Sequence, residues 1–297
     1  EYEGRFYLAT TDGGVCMMDL KAGTFSRIKN VSGDIIKDIC IDKDGTFWFA
    51  SSGGGVTQWT PEENKFEYYH EDGTEKSINN NRARTVFADS RGWIWVSCWN
   101  GGYNVIEKST GKVYSSKDTS SVFCKTLPYG LISAFWEDAQ GFMWLATAEE
   151  GAVRYNPETG EATEFTNDIN DIYSIGDNTV LSIYEDKSKI MWFGTWRGGI
   201  NIYDPKILNF GWYKKDPEDS LSLINNNVYS LCISKSGKIY VGTSAGACIF
   251  NPKTKKFAPL EFKKTDGQNE NSKYSFDEFE DKFFSKNWDT IFIKRII

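Results

Sequence analysis

Proton transfer at neutral pH is most often carried out by histidine, because the imidazole pKa lies near the working pH of most enzymes. The chain contains a single histidine, His70, in the stretch Tyr68-Tyr69-His70-Glu71. We expect His70 to lie on the surface at the end of an outer strand. A histidine-dependent triad and a histidine-rich metal site are therefore not expected, and no cysteine pair has zinc-ligand spacing. We predict that this segment is not an enzyme and uses no catalytic residue, metal or cofactor.

Carboxylates can perform acid–base chemistry without histidine, and Glu149 and Glu150 are adjacent in the sequence. Glycosidases place two carboxyl groups on either side of one substrate bond. Neighbouring residues of a strand point to opposite faces, so adjacency is not evidence for a paired acid and base. A lyase or hydrolase that uses carboxylates or a bound divalent ion remains the weaker alternative.

The residues best suited to ligand chemistry combine tryptophan with charged and amide side chains. An aromatic ring stacks on the C–H face of a pyranose, while amides and ions pair with its hydroxyl groups. The sequence therefore predicts an oligosaccharide or another small ligand at a site formed by loops. The candidate ligand-binding residues are Trp99, Asn100, Glu149, Glu150, Trp196, Arg197, Arg82, Arg84, Tyr129, Asn178 and Asn227.

Structural roles compete with binding for some of these residues. Asparagine-rich loops also arise where the side chain bonds the local backbone, and this interpretation is favoured for residues 79–81 and 225–227. Trp99 and Trp196 occupy the same slot in two copies of a repeat, so packing is as well supported as binding for both.

Structural roles and ligand binding also compete as interpretations of the charged candidates. Arg82 and Arg84 fit a central channel or surface ion pairs equally well. Arg197 and Glu149 vary from copy to copy of the repeat, which favours contact with a ligand for these two residues.

A repeat of about 48 residues must position these side chains. Six short segments share an apolar residue, a central aromatic residue and small residues at the end. The central aromatic residues are Tyr7, Trp48, Trp95, Trp144, Trp192 and Tyr240. The successive steps are 41, 47, 49, 48 and 48 residues, which lie in or near the blade lengths of propeller repeats.

Each copy of the repeat predicts four antiparallel strands. An apolar strand, a glycine turn and the aromatic strand are followed by a loop ending in small residues and by two more strands. One such sheet cannot bury both of its apolar faces, whereas circular stacking gives it a neighbour on each side. The sequence therefore predicts an all-β protein, a β-propeller of four-stranded antiparallel blades with six repeats visible, either six- or seven-bladed. The recurring tryptophan then packs between blades.

We predict one propeller domain over residues 1–297, with a divergent tail at 263–297 that contains a short helix and a closing strand. The first repeat opens at its second strand, so the strand of the tail would complete that repeat. Alternatively, the tail is a degenerate seventh blade, because Trp288 follows Tyr240 by 48 residues. The six repeats are predicted at about residues 5–33, 34–76, 77–126, 127–172, 173–221 and 222–262.

Composition and charge narrow the choice of partner. Hydrophobic residues make up 40 % of the chain and aromatic residues 15 %, which suffices for a continuous core. The net charge of −7 argues against nucleic acid, whose binding needs massed cations. No apolar run reaches the length of a membrane helix, so we expect no membrane contact by this segment. The six cysteines are expected to be unpaired, because Cys40 and Cys232 occupy one slot in different repeats.

The repeat resembles a known family. Its best copy runs from Asn178 to Pro205 and contains Trp-Phe-Gly-Thr at 192–195, Gly-Gly-Ile at 198–200 and Tyr-Asp-Pro at 203–205. This pattern is similar to the two-component regulator propeller repeat of extracytoplasmic sensor regions in hybrid histidine kinases of Bacteroides-type bacteria. The resemblance covers about residues 5–262.

The resemblance implies a function. Propellers of this family look like dimeric periplasmic sensors of oligosaccharides that feed a histidine kinase across the inner membrane. We therefore expect a periplasmic ligand-sensing module of a two-component system, a homodimer in the full-length sensor, with the kinase outside this chain. A propeller for protein–protein interaction is the alternative, because a fold alone does not fix a ligand.

Overall fold

The computed structural model describes residues 2–118, 121, 123, 127–128, 130–171, 173–206, 209–233 and 238–260. Every regular element in these residues is a β-strand, and the strands form six antiparallel sheets. No helix among them has the length and apolarity that crossing a bilayer requires. Tyr129 and the predicted tail at 263–297, with its helix, closing strand and alternative seventh blade, lie outside the described residues.

The sheets follow one another along the chain, and each is a meander of consecutive strands. The first contains β1 (Arg5–Ala9), β2 (Val15–Asp19) and β3 (Thr24–Arg27), and the second contains β4 (Ile36–Ile41), β5 (Phe47–Ser51), β6 (Gly55–Thr60) and β7 (Lys65–Tyr69). The third contains β8 (Ala83–Ala88), β9 (Trp93–Cys98), β10 (Gly102–Glu107) and β11 (Lys112–Ser115), and the fourth contains β12 (Ile132–Glu137), β13 (Met143–Thr147), β14 (Ala152–Tyr155) and β15 (Ala162–Phe165). The fifth contains β16 (Val180–Glu185), β17 (Met191–Thr195), β18 (Ile200–Asp204) and β19 (Asn209–Tyr213), and the sixth contains β20 (Val228–Ile233), β21 (Ile239–Thr243), β22 (Gly246–Asn251) and β23 (Lys256–Pro259).

This arrangement is a six-bladed β-propeller, which confirms the predicted fold class. The first strands of neighbouring sheets contact one another in the order β4, β8, β12, β16, β20, so they form the inner layer. The first sheet has three strands among the described residues, and its β1 contacts β4. Tyr7 of β1 stands where the other sheets carry the aromatic residue of their second strand.

The core consists of apolar clusters, each shared by two neighbouring sheets. Trp48, Trp95 and Trp144 are fully buried, and Trp192 is almost so. The packing role predicted for the recurring tryptophan is therefore confirmed. Because the second to fifth sheets each bury apolar side chains against a neighbour on both sides, stacking of the sheets stabilises each of them.

Each of these tryptophans is paired with the aspartate six residues before it. The indole Nε1 donates to the carboxylate of Asp42, Asp89, Asp138 and Asp186 at distances of 3.0, 3.1, 2.9 and 3.0 Å, respectively. The other carboxylate oxygen accepts two main-chain amides of the turn between the first and second strands. One side chain thus fixes both the turn and the tryptophan. We call the end of the sheets that carries these turns the turn face.

Among the described residues, the cysteines form no disulfide bond, as predicted: Cys16, Cys40, Cys98, Cys232 and Cys248. Burial raises the pKa of the Cys98 thiol to about 12 and the pKa values of the Cys232 and Cys248 thiols to about 11. These thiols stay protonated at neutral pH and pack as small apolar groups.

Candidate functional site

Two sets of loops meet at the end opposite the turn face, which we call the loop face. In each of the last five sheets, the first residue of the inner strand pairs with the last residue of the second strand. The leading loop before the inner strand and the loop between the second and third strands are therefore neighbours. The structure describes every candidate ligand-binding residue except Tyr129. The described candidates lie in or beside these loops.

Main-chain hydrogen bonds hold the two sets of loops together within a sheet. The amide of Trp99 donates to the carbonyl of Arg82 at 2.9 Å, and the amide of Trp196 donates to the carbonyl of Thr179 at 2.9 Å. The threonine hydroxyl at the end of the second strand adds a bond across the loop, as between Thr195 Oγ1 and the carbonyl of Gly199 at 2.8 Å. Both tryptophans consequently project from a backbone that hydrogen bonds hold in place.

A second set of bonds links each loop to the next sheet. The amides of Gly55, Gly151 and Gly199 donate to leading-loop carbonyls of the following sheet, which belong to Asn81, Asn178 and Asn226. The side-chain oxygens of the same three asparagines accept the main-chain amides of Glu71, Asn167 and Lys215. Asn178 thus bonds the backbone with both of its oxygens. This arrangement supports a structural role for these asparagines.

The other leading-loop asparagines behave similarly. Asn79 is buried, and its Nδ2 donates to the carbonyls of Gly101 and Tyr103 at 2.7 and 3.1 Å. The Asn227 amide donates to Asn225 Oδ1 at 2.8 Å, which closes a turn of the kind that the sequence indicated. The Asn227 side chain is half-buried.

A register shift recurs at the start of every inner strand of the last five sheets. One residue is skipped in the pairing with the second strand, which is the mark of a β-bulge. A bulge re-aims the side chain of its extra residue, and the five inner strands are neighbours. We call the five skipped residues the bulge ring: Lys37, Arg84, Ser133, Leu181 and Tyr229.

Three members of the bulge ring contact another member or a loop tryptophan. Arg84 Nη2 lies 3.5 Å from Ser133 Oγ of the next inner strand. The ring of Tyr229 packs edge-on against Trp196, with centroids 5.8 Å apart. Arg84 was among the predicted site residues, whereas the other four members were not. The signal in the sequence was one variable residue directly after the first residue of each inner strand.

The basic part of the site lies on the third sheet. The guanidinium carbons of Arg82 and Arg84 each lie 5.6 Å from the centroid of the Trp99 ring, and 41 % of Trp99 is exposed. Arg82 is exposed and Arg84 is half-buried, and burial lowers the pKa of Arg84. Asn100 is exposed beside them, with a left-handed backbone at φ 55°.

The acidic and second aromatic parts follow on the next two sheets. Glu149 and Glu150 are exposed in the fourth sheet's loop, and the Glu150 amide donates to Thr147 Oγ1 at 2.7 Å. Burial, followed by the charges of Glu164 and Glu149, raises the pKa of Glu150. On the fifth sheet, Trp196 is 37 % exposed and is followed by the exposed Arg197.

The structure therefore brings the described charged and tryptophan candidates to one face in three groups on consecutive sheets, with Asn227 before the sixth sheet. A basic and aromatic group is followed by an acidic group and by a second aromatic group. His70 lies just after the outer strand β7, with its ring stacked on Tyr68 at 6.0 Å. Across the part of the chain that the structure describes, no three His, Cys, Asp or Glu residues are grouped to hold a metal ion.

Comparison with known proteins relates the repeats to a family. Three segments, residues 30–53, 174–197 and 222–245, match the family described as two component regulator propeller. Each segment begins in or just before a leading loop and ends in the loop after the second strand. The chain is also 24 % identical over 181 residues to histidine kinase P4 of Formosa agariphila, a match that covers 58 % of this chain and 13 % of the kinase.

Solved structures share the fold. The extracellular domain of a putative hybrid two component system from Bacteroides thetaiotaomicron has a TM-score of 0.64 at 21 % identity, with 93 % of this chain and 36 % of that domain covered. A catalytically inactive virginiamycin B lyase from Staphylococcus aureus, solved with quinupristin, has a TM-score of 0.65 at 13 % identity, with 87 % and 81 % covered. The chain spans well under half of the kinase and of the sensor domain. With their spaced tryptophan strands and glycine loops, three segments of this chain thus match the two-component regulator propeller family.

Proposed function

We propose that this chain is the ligand-sensing module of a two-component system and binds an oligosaccharide on its loop face. The observation that carries the proposal is the pair of exposed tryptophans, Trp99 and Trp196, on loops that hydrogen bonds hold in place. In a core that buries its other recurring tryptophans, two exposed indoles with fixed backbones form stacking surfaces for sugar rings.

The side chains around these indoles fit the hydroxyl-rich edges of a sugar. Arg82 and Arg84 flank Trp99, and Arg197 follows Trp196. Glu149 and Glu150 lie on the sheet between them. Such groups orient a polar ligand through charge-assisted hydrogen bonds, while the rings supply contact area.

The signalling context of the proposal comes from the relatives. The similar Bacteroides structures are extracellular domains of putative two component systems, and the matched relative is a histidine kinase. We extend this context to the present chain as a periplasmic location, a homodimer in the full-length sensor and kinase output from another part of the protein. No enzymatic activity and no nucleic-acid or membrane partner belong to the proposed role.

A glycan-panel binding screen tests the proposal directly. The wild-type chain should bind at least one oligosaccharide saturably and release it unchanged. Trp196→Ala and Arg197→Ala should each weaken that binding about 10-fold or more, because each removes a direct contact. Trp212→Ala is the matched control, since Trp212 is 44 % exposed on the outer strand β19 and should leave affinity unchanged.

Three outcomes would count against the proposal. Unaltered affinity in both loop variants would remove the site from this face. Capture of a protein partner with no effect of sugar would favour the interaction propeller. Release of a cleaved product, lost in Glu149→Gln, would favour a lyase or hydrolase.

A further inference from the structure

Partly buried cations on the turn face are each paired with a carboxylate. Lys108 Nζ lies 2.7 Å from Asp42, Arg91 Nη2 lies 3.0 Å from Asp89, and Arg154 Nη2 lies 3.4 Å from Asp138. In each case the carboxylate is the one that also holds the buried tryptophan. This is the usual arrangement, because a cation that leaves water without a partner loses hydration energy that nothing replaces.

Arg84 departs from this arrangement. It is half-buried in the bulge ring, and among the described residues no carboxylate lies within ion-pair distance of its guanidinium. On the neighbouring inner strand, the carboxylate of Asp38 already accepts the Thr85 hydroxyl and the amides of Val86 and Ile39. The contacts of Arg84 are the Trp99 ring and the Ser133 hydroxyl.

Other cations add to the positive potential at this point. Arg82 lies over the same tryptophan ring as Arg84, although like charges repel at this range. Lys37 occupies the bulge position of the preceding sheet. The chain carries a net charge of −7, so this concentration of cations is local and does not follow from the composition.

We propose that the loop-face site takes an acidic oligosaccharide, whose carboxylate or sulfate group is bound by Arg84 while the sugar ring stacks on Trp99. A planar guanidinium matches both anions through two parallel hydrogen bonds, and the guanidinium carbon of Arg84 lies 5.6 Å from the centroid of the Trp99 ring. The proposal rests on the proposed sugar-binding function and adds the charge of the ligand. Glu149 and Glu150 on the next sheet repel anions, so the neutral hydroxyl groups of the ligand face the fourth sheet.

Titration calorimetry with matched oligosaccharides tests this inference on the whole chain. The probes are tetragalacturonate, its methyl ester, a neutral galactose tetramer and a sulfated heparin tetrasaccharide. At least one of the two anionic probes should bind, and the ester and neutral tetramer should bind at least about 10-fold more weakly. Binding of tetragalacturonate would show that a carboxylate suffices, and binding of heparin alone, which carries carboxylates and sulfates, would show that sulfate is required.

Variants of Arg84 assign the effect. Arg84→Gln should lose about 10- to 100-fold in affinity for the anionic probe and much less for the neutral one, and Arg84→Lys should restore part of the loss. Lys253→Gln removes an exposed cation between β22 and β23 and should change nothing. Thermal unfolding without ligand verifies folding, and Arg84→Gln should unfold no earlier than the wild type, because it removes an unpaired cation. Trp99→Phe retains a ring and should retain the preference for acidic probes.

The two proposals fail in different ways. Equal binding of tetragalacturonate and its ester, lost in Trp196→Ala, would overturn the acidic-ligand inference and leave the sugar site standing. Anionic binding that survives in Arg84→Gln would also overturn the inference. An absence of binding by every glycan, acidic or neutral, would overturn both proposals.

Discussion

At the scale of the residue, the aspartate of each turn and the tryptophan six positions later work as one unit. Asp138 shows the full set of contacts: it accepts the indole N–H of Trp144 at 2.9 Å and the turn amides of Gln140 and Phe142 at 2.9 and 3.0 Å. Arg154 adds an ion pair at 3.4 Å. A carboxylate can serve four donors because it presents two oxygens with two lone pairs each.

Replacement of Asp138 by asparagine tests this unit. Because the amide keeps only one acceptor oxygen and loses the charge, either the indole or the turn amides lose their partner. We expect Asp138→Asn to lower the free energy of unfolding by about 1–3 kcal/mol in urea denaturation. Glu158→Gln, a neutralisation on an exposed turn, is the control and should stay within about 0.5 kcal/mol of wild type. An equal effect of the two changes would show that the aspartate contributes only surface charge.

Residue identity also separates the two ends of the blades. The turn-face positions recur because they hold the fold, whereas the bulge ring carries lysine, arginine, serine, leucine and tyrosine at one structural position. The backbone bulge recurs in each of these sheets, but the fold does not fix the residue type at that position. Such a position can vary to recognise different ligands. The turn face therefore supplies stability, and the loop face supplies the candidate site.

At the scale of the element, glycines let the loops of the loop face approach each other. An added Cβ at Gly54 would overlap the carbonyl oxygen of Ser32, and one at Gly198 would lie 2.6 Å from the carbonyl carbon of Gly176. Both contacts are with backbone of the leading loop in the same sheet. Neither loop can carry a side chain at this position without moving.

Gly198→Ala is therefore expected to displace the loop that presents Trp196 and Arg197. We predict a lower midpoint of urea unfolding, by an amount that corresponds to about 1–3 kcal/mol, together with weaker binding of whatever glycan the wild type takes. Ser244→Ala trims an exposed loop residue of the sixth sheet and should alter neither quantity. A Gly198→Ala variant with wild-type stability and affinity would show that close packing of these loops does not position the site.

The elements also show how far the sequence could predict the structure. Spacing of Trp48, Trp95 and Trp144 was sufficient for the sheets, because the repeat forces the same burial in each copy. The β-bulges could not be predicted from the sequence, since a register shift depends on which residues pair across two strands. The absence of a carboxylate partner for Arg84 among the described residues could not be predicted either, because this pairing depends on which side chains lie on the neighbouring sheets.

At the scale of the whole molecule, the stack of sheets has two ends with different roles, the turn face and the loop face. Shared apolar clusters and turn-face ion pairs join neighbouring sheets, as between Lys108 and Asp42 on the third and second sheets. On the loop face, neighbouring sheets are joined by bonds from glycine amides to asparagine carbonyls. A ligand that spans the three groups of candidate residues would contact the third, fourth and fifth sheets at once. Its binding would stabilise one relative position of those three sheets. A ligand-dependent change in this position is a change that a sensor can transmit.

Hydrogen–deuterium exchange with and without a bound oligosaccharide tests the location of the site most directly. We predict slower exchange in the loops at residues 99–101, 148–150 and 196–198, with the turns at 89–93, 138–142 and 186–190 unchanged. Slower exchange on the turn face or along the outer strands, with the loop face unaffected, would show that the ligand binds away from the loop face.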